Sequence, residues 1–239
     1  MRRVRWAAVA AVIALALGAA AALSAVIASA ASSVPEWYKG GSPLGAKVKV
    51  TFKSTGGAAV LEGSGSAGTI SCTAETGTGE VEGPTSVKKV KLTYTGCTKG
   101  GTKCESAGEA EGTVKTNTLE GQNIYLNTAH TIAGQQLKPS GTLFAKIKCG
   151  AEFETEVNGE LIGEAAPLRS ATNEDSTAGK LTFAQAAGVQ KWQKVEEAGS
   201  NIFLTAFGFV ESGVGGGPKL SEPDVESITF KEAIELHKS

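Results

Sequence analysis

Apolar and polar residues alternate with a period of two along most of the chain beyond residue 46. Val48, Val50 and Phe52 point to one side of their segment, and the lysines and the threonine interleaved with them point to the other. The same alternation recurs over Lys89–Tyr94 and Ala151–Val157. Strict alternation is typical of a strand with one buried and one solvated face. The pattern predicts an all-β protein, an antiparallel sandwich or barrel of roughly ten or more short strands.

Turn-forming residues separate these strands. Asn158–Gly159 lies between two apolar runs and gives the strongest prediction of a hairpin, because both central positions of a type I′ turn need a positive φ. Gly100–Gly101 marks a second turn. Short helical turns or strands are both compatible with the segments 184–187 and 231–237.

One segment is apolar on both faces. Over Ile202–Val210, branched and small side chains alternate with phenylalanines. A strand of this kind is covered on both sides, which predicts a central position in the sheet. The residues 31–239 are expected to form a single β-rich domain, with a sub-boundary near the polar segment 168–179 as the alternative.

The first thirty residues have the three parts of a secretory signal peptide. Arg2, Arg3 and Arg5 precede an uncharged apolar run, and Ala28–Ala30 has the small-x-small form of a cleavage site. We expect residues 1–30 to be a signal peptide. The alternative is an uncleaved N-terminal anchor, since an apolar run of about 20 residues can span a bilayer. Both alternatives predict a secreted or cell-surface protein that contacts a membrane only through this segment, if uncleaved.

The charge balance argues against a nucleic-acid partner. Without the three arginines of the N-terminal segment, the 23 basic residues fall to 20, against 24 acidic ones, for a net charge of −4. Arg169 is then the single arginine left. Nucleic-acid binders normally carry a basic excess with arginines on one face.

The four cysteines support an oxidising compartment. An even number in an exported chain implies disulfides, and four cysteines allow three connectivities. Cys97 and Cys104 flank a turn-forming segment, so their spacing favours a Cys97–Cys104 bridge and leaves Cys72 to bond Cys149. A zinc site is the rival interpretation, but the C-x2-C pairs of zinc sites are missing.

The residues that catalysis needs are scarce, so we expect no catalytic residue, no cofactor and no metal site. His130 is expected in a loop and His237 at a frayed terminus, which argues against a histidine-based triad or metal site. The remaining route to catalysis is a carboxylate pair, as in glycoside hydrolysis. Candidate acids stand two apart on predicted strands, which is equally typical of a solvated face: Glu80/Glu82, Glu109/Glu111 and Glu152/Glu154/Glu156.

Two tryptophans are candidate ligand contacts. Trp37, in Pro35–Lys39, is similar to the tryptophan at the start of lipocalins, although Pro35 stands where that family has glycine. Trp192 is flanked by glutamine and lysine, and an exposed tryptophan in such surroundings can stack on a sugar. For both residues, packing against a neighbouring strand is the alternative.

A set of framework residues extends over residues 35 to 150. It comprises Pro35-Glu36-Trp37-Tyr38, Ile70-x-Cys72, Gly83-Pro84, Tyr94-x-Gly96-Cys97, Cys104-x-Ser106 and Phe144-Ala145-x-x-x-Cys149-Gly150. In these residues the chain resembles a group of exported β-rich proteins of high-GC actinobacteria. The resemblance implies secretion and a β fold, and it carries no activity or functional residue.

These observations support three functional hypotheses. The leading one is a non-catalytic exported protein with a structural or binding role in the cell envelope or outside it. The second is a barrel or sandwich that binds a carbohydrate or a small apolar molecule, and the third is a carboxylate-dependent hydrolase.

Overall fold

The computed structural model describes residues 34–62, 69–170, 174–186, 189–192, 195–197, 200–202, 210–211 and 224–238. Their regular structure is entirely β, which confirms the predicted fold class. Strands are numbered along the chain. Within the described residues, eight strands close a barrel: β3 (Lys49–Gly56), β6 (Ala74–Glu82), β7 (Ser86–Thr95), β11 (Leu119–Tyr125), β12 (Ala133–Pro139), β15 (Leu161–Ala166), β17 (Ser176–Phe183) and β23 (Asp224–His237).

A second sheet contains seven of the described strands: β4 (Ala59–Glu62), β5 (Thr69–Cys72), β8 (Thr98–Lys99), β9 (Thr102–Glu105), β13 (Leu143–Cys149), β14 (Phe153–Asn158) and β22 (Val210–Glu211). The remaining strands of the described residues are short: β1 (Glu36–Lys39), β2 (Ser42–Pro43), β10 (Thr113–Lys115), β16 (Leu168–Arg169), β18 (Gln185–Ala186), β19 (Val189–Gln190), β20 (Val195–Glu197) and β21 (Ser200–Ile202).

The barrel is antiparallel and closes on itself. Its strands follow the order β7-β6-β3-β23-β17-β15-β12-β11, and β11 pairs with β7 to complete the ring. An eight-stranded barrel has an interior just wide enough for side chains to fill. The two alternatives left by the sequence, sandwich and barrel, are therefore resolved in favour of a barrel with an added sheet.

The second sheet continues the strands of the barrel. The pair β4–β5 follows directly on the pair β3–β6, and the pair β13–β14 follows on the pair β12–β15. Between them lies the β8–β9 hairpin, which extends from β7 and turns at Gly100–Gly101, where both residues have a positive φ. The second sheet is thus built largely from the ends of three long hairpins. The opposite ends of the same hairpins contribute strands to the barrel wall.

This continuity explains why the predicted hairpin at Asn158–Gly159 is wrong. The strand β14 pairs with β13, and β15 pairs with β12, so the two strands flanking Asn158–Gly159 do not pair with each other. The chain passes from one sheet to the other there, and the φ of +117° at Gly159 accommodates the change of direction. The chain reverses between Cys149 and Phe153 instead.

The four cysteines stand in one row across the second sheet. Cys104 is directly opposite Cys149, and the registers of β5–β8 and β8–β9 place Cys97 between Cys72 and Cys104. Cys72 is bonded to Cys97, and Cys104 to Cys149. All four cysteines are bridged, as predicted, and two disulfides fit an oxidising environment.

The predicted pairing, Cys97 with Cys104 and Cys72 with Cys149, is wrong. Cys97 and Cys104 do face each other, but a bond between them would leave Cys72 and Cys149 at the two ends of the row. Those ends are three strand spacings apart, about 14 Å, which is too far for a disulfide. Each bond therefore joins two neighbouring hairpins.

One hydrophobic core fills the barrel and continues under the second sheet. Trp37, Phe52 and Phe230 pack edge to face in the barrel, with Trp37 and Phe230 ring centroids 5.4 Å apart. Glycines make room for these rings: a Cβ on Gly79 would lie 2.5 Å from the Phe52 ring. Ile70, Phe144 and similar side chains extend the same cluster into the second sheet.

Other predictions fall on particular strands. The segment 231–237 is strand rather than helix, as the last half of β23. The polar segment 168–179 includes β16 and leads into β17, a barrel strand between β15 and β23. Most of the two-faced segment Ile202–Val210 and the whole of residues 1–30 lie outside the described residues.

Candidate functional site

The predicted carboxylate pairs lie on faces where lysines neutralise them. Ion pairs with N–O distances of 2.6–3.7 Å join Lys49 to Glu80 and Glu82, Lys115 to Glu109, Lys103 to Glu111, and Lys146 to Glu154 and Glu156. Glu80, Glu82, Glu154 and Glu156 stand on β6 and β14 and pair with lysines of the neighbouring strands, an arrangement that stabilises a strand face. The prediction that the other candidate acids lie on strands is wrong: Glu109 and Glu111 lie in the loop between β9 and β10, and Glu152 lies in the turn before β14.

The pKa shifts of these carboxyl groups oppose a role as catalytic acid. A hydrogen bond from the Lys49 ammonium group is the main cause that lowers the pKa of Glu80, and Lys89 adds to it. A hydrogen bond from Lys146 likewise lowers the pKa of Glu154. A glycosidase acid needs a raised pKa so that it keeps its proton near neutral pH.

Three deeply buried acids escaped the sequence analysis: Glu75, Glu226 and Glu235 are 1%, 2% and 3% exposed. The registers of β6, β3 and β23 place Glu75 and Glu226 on either side of Gly56, on the inner face of the sheet. A signal was present for Glu75, which is in phase with the buried Val81. Glu235 lines the cavity beside Trp37 described below, whereas neither Glu75 nor Glu226 lines any of the three cavities.

Both histidines stack on tyrosine rings. His130 stacks on Tyr125 with ring centroids 4.1 Å apart, and its backbone has a φ of +51°. His237 stacks on Tyr38 and pairs with Glu36 within the sheet, so the prediction of a frayed terminus is wrong. Each histidine is half-buried.

The two tryptophans differ in their surroundings. Trp37 is 7% exposed and packs against Phe230 in the core. Trp192 is half-buried against a small outer cluster that includes Ile124 and Ile162, and the Lys191 ammonium group lies 4.6 Å from its ring centroid.

Two small cavities are lined by described residues of the core. An apolar cavity of about 40 Å³ lies between the barrel and the second sheet, lined by Tyr94, Val114 and Phe144 among others. A cavity of about 30 Å³ lies beside Trp37 and Arg169. Spaces of this size hold a water or two, whereas pockets for organic ligands measure roughly 300–1,000 Å³.

A larger concavity of about 520 Å³ lies on the outer face of the barrel. We call it the β3 groove. It is lined by Thr51, Phe52, Lys53, Thr78, Gly79, Glu80, Lys89, Thr229, Phe230 and Lys231. The lysines and threonines in this set are exposed, so the groove opens to solvent, while the two phenylalanines are buried in the core.

Two irregularities in the sheet border the β3 groove. The pairing of β23 with β3 stops at Phe230 and Phe52, although β3 begins at Lys49. On the other side, the register of β6 and β7 shifts between Thr78 and Glu80. The extra residue is on β7, where Lys89 and Val90 face Gly79, and Lys89 has a φ of +53°, a conformation that few non-glycine residues adopt. Bulges of this kind redirect side chains and are frequent beside functional sites.

The electrostatics of the β3 groove are set by lysines. Glu80 is the single acid among the lining residues, and it bonds Lys49 and Lys89 at 3.0 and 3.2 Å. Within the described part of the chain, no carboxylate oxygen comes within 4.0 Å of the Lys53 or Lys231 ammonium group. The groove is therefore a positive surface on a protein whose residues 31–239 are acidic overall.

The described residues contain no group of three or more histidines, cysteines and acids able to hold a metal ion. No helix among them is long and apolar enough to cross a bilayer. In comparisons with known proteins, the chain matches no family model, no curated protein and no solved structure. The resemblance to exported actinobacterial proteins stays a prediction.

Proposed function

We propose that this protein is secreted or held at the cell surface, where it acts as a non-catalytic β protein by structural or binding means. The observation that carries the proposal is the packed core: among the described residues, aromatic and aliphatic side chains fill the barrel, and the cavities within it and under the second sheet measure about 30–40 Å³. Cavities this small favour interactions at the outer surface over an internal ligand.

Three further observations support the proposal. Candidate catalytic acids such as Glu80 and Glu154 pair with lysines, and the shifts in their pKa favour the ionised form. The disulfides join the ends of neighbouring hairpins, which suits a protein that must keep its fold outside the cell. The N-terminal sequence supports export through a cleaved signal peptide or a retained anchor.

The proposal is tested by assaying purified residues 31–239 against a panel of polysaccharides, esters and peptides. We expect no turnover above the rate without protein. Turnover that is lost in Glu154→Gln, Glu80→Gln or Glu111→Gln but kept in Glu232→Gln, an exposed acid outside the candidate pairs, would support the carboxylate-dependent hydrolase instead.

Tryptophan fluorescence tests the alternative of an internal ligand. Trp37 lies within the barrel core, so a lipid or apolar molecule entering the barrel would change its emission. We expect no change on titration with fatty acids or neutral sugars. A saturable change that persists in Trp192→Phe would assign it to Trp37 and support the ligand-binding barrel.

A further inference from the structure

The outer face of the barrel carries a mixed row of ammonium and hydroxyl groups. Thr78 and Thr229 stand directly opposite Lys53 on the two strands beside it, and Lys91 stands beyond Thr78 on the next strand. Side chains opposite each other in antiparallel strands are about 5 Å apart. The row therefore places two cations about 10 Å apart, with a hydroxyl between them and another beyond Lys53.

The β3 groove adds volume and further charge to this row. It places Lys231 and Lys89 beside Lys53 in an open space of about 520 Å³. This lies within the range of roughly 300–1,000 Å³ that is typical of ligand sites. In the described part of the chain, the Lys53, Lys91 and Lys231 ammonium groups have no carboxylate partner. The row and the groove are thus left with uncompensated positive charge.

From this arrangement we infer that the β3 groove binds one strand of an acidic polysaccharide. The lysines pair with carboxylates along the sugar chain. The threonine hydroxyls both donate to and accept from sugar hydroxyls. The inference rests on the proposed surface role and names the partner class for it.

The composition of the groove favours an acidic polysaccharide over a nucleic acid. Single-stranded nucleic acids need exposed aromatic rings on which bases stack, whereas Phe52 is 9% exposed and Phe230 is 5% exposed.

Calorimetric titration of residues 31–239 with polygalacturonate at low ionic strength tests the inference, with dextran as the neutral control. We expect binding to polygalacturonate that weakens as salt is added, and none to dextran. The variant Lys53→Gln/Lys231→Gln should bind about tenfold more weakly, since two exposed charge pairs are lost. Thr229→Val should weaken binding a few-fold without changing the charge.

The matched control is Lys138→Gln/Lys148→Gln. It removes the same charge from two exposed lysines that lie on β12 and β13, away from the groove. We expect this control to bind as the unmodified protein does. Equal losses in both double variants, no binding of polygalacturonate, or tighter binding of inorganic polyphosphate would each overturn the inference. None of these outcomes introduces catalysis, so each leaves the proposed non-catalytic function standing.

Discussion

Cys97 and Cys104 face each other across the β8–β9 hairpin, where the Cys104 amide donates a hydrogen bond of 2.9 Å to the Cys97 carbonyl. Their disulfides nevertheless go outward, from Cys97 to Cys72 in the hairpin on one side and from Cys104 to Cys149 in the hairpin on the other. Only a short loop separates Cys97 from Cys104. Because the entropy that a disulfide removes from the unfolded chain grows with loop length, a bond within this hairpin would restrict the unfolded chain less than bonds to residues 25 and 45 positions away. The observed pattern ties three hairpins into one sheet.

Removing either disulfide should destabilise the protein substantially. The chain-entropy model assigns about 3.5 kcal/mol to the Cys72–Cys97 bond and about 4 kcal/mol to the Cys104–Cys149 bond. We expect Cys72→Ser/Cys97→Ser and Cys104→Ser/Cys149→Ser each to lower the free energy of unfolding in urea by about 2–5 kcal/mol, the usual range for loss of a native disulfide. In strong reductant the differences in unfolding free energy between the variants and the unmodified protein should shrink. A midpoint of urea unfolding that is unchanged in either double variant would contradict the stabilising role of that disulfide.

The packing inside the barrel predicts a clear effect at Gly163. A Cβ at this buried position would lie 2.6 Å from Leu181 Cγ. Gly163→Ala should therefore lower the free energy of unfolding by about 1–3 kcal/mol through overpacking. Gly141→Ala is the matched control, because no atom lies within 4 Å of its added Cβ. Denaturant unfolding of both variants measures the difference, and equal effects would mean that the barrel interior is looser than described.

The ion pairs of Glu80 predict a pH-dependent contribution to stability. Lys49 lowers the pKa of Glu80 in the folded protein. A lowered pKa stabilises the fold above the ordinary carboxyl pKa of about 4.3, and this stabilisation is lost as the pH falls through the folded-state value. Glu80→Gln should cost about 0.5–1 kcal/mol at pH 7 and very little in strong acid.

Unfolding of Glu80→Gln at neutral and acid pH is best compared with Glu111→Gln. The Glu111 side chain is 75% exposed and pairs with Lys103 at 3.3 Å, a geometry worth little in water. We expect the control to be nearly neutral at both pH values. A cost for Glu80→Gln that is the same at both pH values would show that the loss is not electrostatic.

Local patterns were sufficient to predict the fold class, because alternation within Lys89–Tyr94 and similar segments depends only on neighbouring residues. The hairpin at Asn158–Gly159 could not be assigned correctly from the same information. The flanking strands β14 and β15 follow each other along one side of a long, bent hairpin. Only their pairing with β13 and β12 on the other side reveals this. Turn-forming residues mark a change of direction, and they do not distinguish a reversal from a bend.

Properties that depend on long-range register were beyond local reasoning. The cysteine row requires three separate strand pairings to align, and the β3 groove requires Lys231 to meet Lys53 from a strand far along the chain. The buried Glu75 did leave a local signal, as a charged residue in an apolar phase. The carboxylate pairs were visible in the sequence, but their lysine partners come from other strands.

A non-reducing tryptic map most directly tests whether the second sheet is built from three stapled hairpins. Trypsin places the four cysteines in separate peptides: 54–88, 92–99, 104–115 and 149–169. We predict that peptide 54–88 is linked to 92–99 and that 104–115 is linked to 149–169. Recovery of 92–99 linked to 104–115, or of 54–88 linked to 149–169, would contradict the hairpin arrangement.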